Sequence, residues 1–71
     1  MATPIAVTAE KRLRESPYPS LRMVSCIDKG GILILRGHVP NFFHKQLAQT
    51  AVANIDGVKE LVNQIEVTDG G

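Results

Sequence analysis

Three side chains of this 71-residue chain could take part in nucleophilic or metal chemistry, namely Cys26, His38 and His44. A cysteine nucleophile needs a base within hydrogen-bonding reach, and a metal site needs three or four converging ligands. If Gly30 and Gly31 form the loop of a hairpin, Cys26 and His38 lie on opposite faces of its strands. Neither histidine has an Asp or Glu within a few residues that could serve as a further ligand. The pattern therefore predicts neither a Cys/His catalytic pair nor a metal site.

The other features that carry chemistry also favour a structural role. The seven acidic residues are scattered along the chain, whereas general acid-base catalysis needs carboxylates that converge in a pocket. Gly30 and Gly31 join two predicted strands, and a phosphate-binding glycine loop instead precedes a helix. Cys26 has no second cysteine to pair with and is expected to be a small buried apolar residue. The sequence thus predicts no enzyme, no cofactor and no metal.

Composition narrows the class of protein further. The chain has 8 basic and 7 acidic residues and a net charge of +1, without the basic surplus of nucleic-acid-binding proteins. No apolar run approaches the roughly 20 residues of a membrane span, and the N-terminus does not resemble a signal peptide. We expect a single domain over residues 1–71, with a core over about residues 4–67 and a flexible tail at residues 68–71. A cytoplasmic location is expected for the sequence as given, and envelope association stays open for an excised domain.

A helix is predicted close to the N-terminus. Thr3 and Pro4 are typical of an N-cap followed by the first helical position. Apolar residues then recur at a spacing of four: Ile5, Ala9 and Leu13. The charged residues at 10–15 are interpreted as a solvated helix face, and a face for lipid headgroups or an anionic partner is the alternative. Prolines within residues 16–20 end the helix.

A β-hairpin is predicted from residues 21–27 and residues 32–39, joined around the Gly30-Gly31 turn. With these two glycines as the loop, the predicted cross-strand pairs are Lys29 with Ile32, Ile27 with Ile34, Ser25 with Arg36, and Met23 with His38. Gly37 is interpreted as a structural glycine on the covered face that lets a helix backbone approach closely or permits a bulge.

A second helix is predicted to begin after the N-cap Asn41 and to end at Asp56-Gly57, where Gly57 suits the left-handed C′ position. Its apolar stripe consists of Phe43, Leu47, Ala48, Ala51, Val52 and Ile55. Residues 58–67 are predicted to form a third strand.

The order helix, strand, strand, helix, strand predicts an α+β two-layer sandwich of αββαβ order, with both helices on one face of a three-stranded mixed sheet. The second and third strands are expected to be parallel and joined by a right-handed crossover. The face covered by the helices is predicted to carry Val24, Cys26, Leu33, Leu35, Val39, Leu61, Ile65 and Val67. The helix residues expected to pack on it are Ile5, Ala9, Leu13, Leu47, Ala48, Ala51, Val52 and Ile55.

Three pieces of the sequence carry a resemblance to a known family. Gly31 and the following "LILRGHV" (33–39) match a hairpin glycine and a V-x-L-x-G-x-V pattern. The segment "LAQTAVANIDGV" (47–58) matches an alanine-rich helix that ends in a Gly-Val pair. The segment "VNQIEV" (62–67) matches a closing strand that contains an Asn. In this order the chain resembles a BON domain, named after bacterial osmotically inducible and nodulation proteins, over roughly residues 9–67. The resemblance implies the αββαβ fold, a bacterial envelope-associated or cytosolic module that binds phospholipid or protein, and no catalytic residues. Many members of the family are periplasmic and carry two copies, whereas this chain has one.

The face of the predicted sheet that the helices leave uncovered is the candidate site. Residues 32–35 are apolar at all four positions, so this strand is apolar on both of its faces. The predicted interaction residues on the uncovered face are Met23, Ile27, Ile32, Ile34, Arg36, His38 and Val62. A contiguous exposed apolar patch is typical of an interaction site. The alternative is that the tail or a wider host protein covers it.

Two binding functions follow from this face. The first is a non-enzymatic module that docks on a protein partner or self-associates into a homo-oligomer. The second is binding to a phospholipid surface, which favours a cluster of Lys and Arg beside the apolar patch. Only Lys29 and Arg36 flank the patch, so the protein interaction is preferred.

Overall fold

The chain, described over residues 4–68 by a computed structural model, folds into an αββαβ arrangement in which some of the predicted strands are divided. The helices are α1 (Ile5–Arg14), a 3₁₀ helix (Pro19–Met23) and α2 (Phe42–Ala51). The strands are β1 (Ser25–Lys29), β2 (Ile32–Arg36), β3 (His38–Val39), β4 (Glu60–Asn63) and β5 (Glu66–Val67). The main sheet has the order β1-β2-β4, with β1 antiparallel and β4 parallel to β2, and β3 and β5 form a second, parallel pair. The predicted α+β fold with a three-stranded mixed sheet is confirmed.

The core lies between the helices and one face of the sheet. Leu33 and Leu35 of β2 are fully buried, as are Ala9 of α1 and Ala48 of α2. Small alanine side chains let both helices approach the sheet closely. The other buried apolar residues are Leu13, Leu21, Val24, Cys26, Val39, Val52, Ile55 and Ile65. Six of the eight residues predicted for the covered face are therefore buried, and Leu61 is partly buried.

The predicted hairpin register is confirmed over the length of β1. Ile27 pairs with Ile34, and Lys29 pairs with Ile32 next to the turn. Gly30 and Gly31 have φ values of 61° and 95°, which only glycine adopts readily at both positions of a two-residue hairpin turn.

The first strand begins later than predicted. Pro19 starts a 3₁₀ helix, in which the Leu21 N–H donates to Tyr18 O at 3.0 Å. This turn buries Leu21 in the core and leaves Met23 77% exposed, outside the strand. The predicted pairing of Met23 with His38 is therefore wrong, because the 3₁₀ helix that buries Leu21 extends to Met23 and delays the start of the strand.

The second predicted strand is divided at Gly37. This glycine has a φ of 153°, and a Cβ there would lie 3.3 Å from Val24 Cα. The close neighbour is thus the backbone that enters β1, and an added side chain would push it away from β2. The contact gives Gly37 a structural role, but its close neighbour is Val24, directly before β1, and not the backbone of a helix that packs on the sheet, as was predicted.

The second helix starts as predicted and ends early. Asn41 Oδ1 accepts a hydrogen bond from the His44 N–H at 3.0 Å, which confirms the N-cap. The helix ends at Ala51, well before Gly57, and Asn54 takes a left-handed φ of 61°. The early end lets the chain turn so that Val52 and Ile55 enter the core, whereas a continued helix would carry the chain away from β4.

One residue predicted for the covered face is exposed, and the third predicted strand is divided. Val67 of β5 is 38% exposed, and Phe43, from the predicted apolar stripe of the second helix, is 56% exposed. Between β4 and β5 the Asn63 side chain accepts a hydrogen bond from the Ile65 N–H at 3.1 Å, which interrupts regular pairing.

Thr3, the predicted N-cap of α1, lies outside the described residues. So does the predicted tail except for Thr68, whose N–H donates to Val39 O at 2.8 Å.

Candidate interaction face

The side of the β1-β2-β4 sheet that points away from the helices is termed the open face. Residues directly opposite each other on neighbouring strands project to the same side, so the register arranges this face in rows. The central row is Ile27, Ile34 and Val62, and the turn row beside it is Lys29, Ile32 and Glu60. A third row, at the other end of the hairpin, starts with Ser25 and Arg36.

The apolar side chains of the open face keep contact with water. Ile32 is 38% exposed, and the three residues of the central row are partly exposed. Leu33 and Leu35, one residue further along the same strand, are fully buried on the helix side. The open face is therefore an apolar stripe across all three strands of the main sheet.

Polar and charged side chains border this apolar stripe. At one end Arg36 Nε donates to Gln64 Oε1 at 3.1 Å, and His38 Nε2 lies 3.0 Å from Glu66 Oε2 on the β3–β5 pair. At the other end Lys29 and Glu60 occupy the two edges of the turn row and are both exposed. The stripe thus has the apolar centre and polar rim that interfaces commonly have.

The structure brings six of the seven predicted interaction residues together. Ile27, Ile32, Ile34, Arg36 and Val62 lie on the main sheet, and His38 follows on β3. Met23 is the exception, because it lies in the 3₁₀ helix. The role of these residues in binding stays a prediction.

The comparison with known families agrees with the fold. The family model for the BON domain matches residues 4–69. The chain belongs to the BON domain family. A search of curated proteins finds no match. BON domains are small binding modules of non-catalytic type that are associated with phospholipid membranes.

Cys26 of this BON domain is buried on the helix side of the sheet and pairs with Leu35 on the neighbouring strand. Burial raises the pKa of its thiol to about 11, and the nearby negative charge of Glu10 adds to the effect. A thiol in this setting remains protonated at neutral pH and is a poor nucleophile. His38 is exposed and lies on β3, in the other sheet.

Sequence reasoning missed an exposed aromatic cluster on the helix side of the BON domain. The rings of Tyr18, Phe43 and His44 contact one another edge to face, with centroids 5.2–6.3 Å apart. Phe42, the preceding residue of α2, is 61% exposed. Consecutive residues of a helix point about 100° apart, so two adjacent phenylalanines seldom share one buried face. That spacing is the signal that could have indicated the cluster.

A shallow groove of about 280 Å³ runs between α1 and α2 next to this cluster. Its lining is mainly apolar and includes Tyr18, Leu21, Leu47 and Ala51.

Within residues 4–68 no helix has the length and apolar character needed to span a bilayer. The same part of the chain contains no group of three His, Cys, Asp or Glu side chains placed to hold a metal ion.

Proposed function

We propose that this BON domain is a non-enzymatic module that binds a protein surface through its open face. The observation that carries the proposal is the central row, where Ile27, Ile34 and Val62 remain partly exposed side by side on three strands. Covering such a row removes apolar area from water, which is worth about 25 cal/mol per Å². The sheet provides a rigid backbone, so binding orders few further groups.

A site-specific photo-crosslink tests which surface of the domain contacts protein in the cell. Ile32 is replaced by p-benzoylphenylalanine, which reacts with C–H bonds of whatever lies against it. Val7 of α1 is 49% exposed and carries the same replacement as the matched control. We expect protein adducts from position 32 and not from position 7.

The mass of the adduct identifies the class of partner. An adduct of two chains indicates self-association, and a larger adduct indicates another protein. Equal labelling from both positions, or no adduct from position 32 while the protein is folded, would reject the open face as the binding surface.

Binding to a phospholipid surface is the second candidate function. It is favoured by the exposed pair Phe42 and Phe43 at the start of α2, together with the membrane association of the family. Exposed phenylalanine side chains of an interfacial helix can insert into the boundary between the headgroups and the acyl chains. This candidate uses the helix side of the molecule and not the open face.

Vesicle sedimentation separates the two candidates. Phosphatidylcholine vesicles with and without phosphatidylglycerol are mixed with the parent, with Phe42→Ser and with Gln46→Ser, an exposed control on the same helix. Lipid binding predicts that the parent and Gln46→Ser sediment with vesicles and that Phe42→Ser does not. Absence of the parent from the vesicle pellet would reject lipid binding.

A further inference from the structure

The turn row of the open face has opposite charges at its two ends. Lys29 lies on the β1 edge, Glu60 on the β4 edge, and Ile32 stands between them. Neighbouring strands are about 4.8 Å apart, so the two charges are separated by roughly 10 Å across the sheet. Neither takes part in the salt bridges that the structure describes for residues 4–68. One molecule thus presents a positive and a negative charge on either side of an apolar residue.

We infer that the partner of the open face is a second copy of this chain, packed face to face about a two-fold axis parallel to β2; this rests on the proposed function. Such an axis exchanges the two edges of the sheet. Lys29 of each copy then lies opposite Glu60 of the other, so that one dimer contains two reciprocal charge pairs. Ile34 meets Ile34 of the second copy at the axis, and Ile27 meets Val62.

The reach of the side chains fits this arrangement. Two sheets packed through their faces lie about 10 Å apart and cross at about 30°. A lysine and a glutamate that extend toward each other together span approximately this spacing. The crossing angle displaces the turn row of one copy sideways relative to that of the other, and the flexible lysine side chain can follow this displacement.

Other ways of pairing two copies match the surface less well. A two-fold axis across the strands would place Ile32 against Arg36 of the second copy and leave Lys29 and Glu60 without opposite charges. Pairing through the β1 edge would displace the Glu10 carboxylate, whose Oε2 accepts a 3.5 Å hydrogen bond from the Cys26 N–H. Only the axis along β2 aligns the apolar row and both charges together.

The size of the open face sets the expected strength of the dimer. Strands of five residues are about 17 Å long, and three of them cover less than the roughly 800 Å² per partner of a standard interface. The dimer should therefore be weak and reversible. It is measured by sedimentation equilibrium and by concentration-dependent NMR shifts at up to about 1 mM protein, where even a weak dimer is populated.

Charge exchange tests the geometry. The variants are Lys29→Glu, Glu60→Lys and the double exchange, which has the net charge of the parent. Lys11→Glu and Glu15→Lys make the same charge changes at exposed positions of α1 and its C-terminal end, away from the open face. Melting temperature and circular dichroism establish that each variant is folded.

We expect each single exchange on the open face to weaken the dimer about tenfold, because two attractive contacts become repulsive. The double exchange should recover the parent affinity within about twofold, and a mixture of the two single variants should form heterodimers. The α1 variants should dimerise like the parent. High salt should reduce the differences, because ions screen exposed charges.

Three results would overturn the inference: a parent that is monomeric at about 1 mM, a dimer insensitive to the single exchanges, or a double exchange as weak as the singles. The proposed function, protein binding by the open face, is tested separately from the dimer. If the parent is monomeric while position 32 still crosslinks to another protein, the open face binds protein and only the second copy is rejected. If position 32 forms no adduct in the cell and the parent is also monomeric at about 1 mM, both fail.

Discussion

At the scale of a single residue, Leu35 contributes to the packing between the sheet and the helices. It is fully buried in the core on the helix side of β2. Leu35→Ala should lower the free energy of unfolding by about 2–5 kcal/mol, since it removes buried apolar volume and leaves a cavity. Urea unfolding of parent and variant measures the loss. Arg36→Ala, at the exposed neighbouring position, should lose far less, and equal losses would mean that the two faces of β2 are assigned wrongly.

Cys26 gives the stability of the domain a dependence on alkaline pH. Burial raises the pKa of its thiol from 9.0 to about 11 in the folded chain. Between these values the unfolded thiol has lost its proton and the folded thiol keeps it, so stability is complete below pH 9.0 and falls as the pH rises. We expect a fall on the order of a few kcal/mol, since one pKa unit corresponds to about 1.4 kcal/mol.

The measurement compares parent and Cys26→Ala by urea unfolding from pH 8 to pH 11. Lysine and tyrosine titrations affect both proteins, and the difference between the two reports the thiol. We expect the free energy of unfolding of the parent to fall relative to that of Cys26→Ala as the pH rises. A difference that stays constant over the range would show that the thiol is not protected by burial.

Asn41 determines where α2 begins, at the scale of the secondary structure element. Its Oδ1 accepts from the His44 N–H at 3.0 Å and also lies 2.7 Å from the His44 ring Nδ1. Asn41→Ala should lower the free energy of unfolding by about 1 kcal/mol, because a helix N–H loses its acceptor. Asn41→Asp keeps an acceptor oxygen and should unfold close to the parent. Thermal and urea unfolding measure both, and an unchanged alanine variant would contradict the role of the cap.

Local chemistry decides which element boundaries the sequence can predict. The cap at Asn41 and the turn at Gly30-Gly31 depend on neighbouring residues alone, and both were predicted correctly. The end of α2 depends on whether Val52 and Ile55 can reach the core, which is a property of the folded chain. The 3₁₀ helix at Pro19 likewise competes with a strand that its residues would also fit, and burial of Leu21 decides between them.

The open face belongs to the scale of the whole molecule, and its position follows from strand periodicity. Alternation along β2 correctly separates Leu33 and Leu35 from Ile32 and Ile34, so most of the candidate site was predictable. The placement of Met23 was not, because it depends on where the preceding segment packs.

Ile34→Lys separates the fold of the molecule from its association. The side chain lies at the centre of the open face and is only partly buried, so a lysine there can extend its charge into water. We expect the melting temperature to stay nearly the same and any association of the parent to weaken strongly. Val7→Lys on α1 is the control and should change neither. A large loss of stability in a monomeric protein would mean that Ile34 is part of the core.

The parallel pairing of β2 with β4 has a consequence for the order in which the chain folds. β1 and β2 are adjacent in sequence, and a hairpin of this kind forms within about 1–10 μs. β4 must wait until the crossover through α2 has closed, and such non-local pairing is slow. During synthesis, β2 therefore has an unpaired edge and two apolar faces until residues 60–63 leave the ribosome. A nascent chain that stalls before residues 60–63 have left the ribosome is expected to aggregate and to need chaperone protection, whereas a chain in which β4 has emerged and paired with β2 is not.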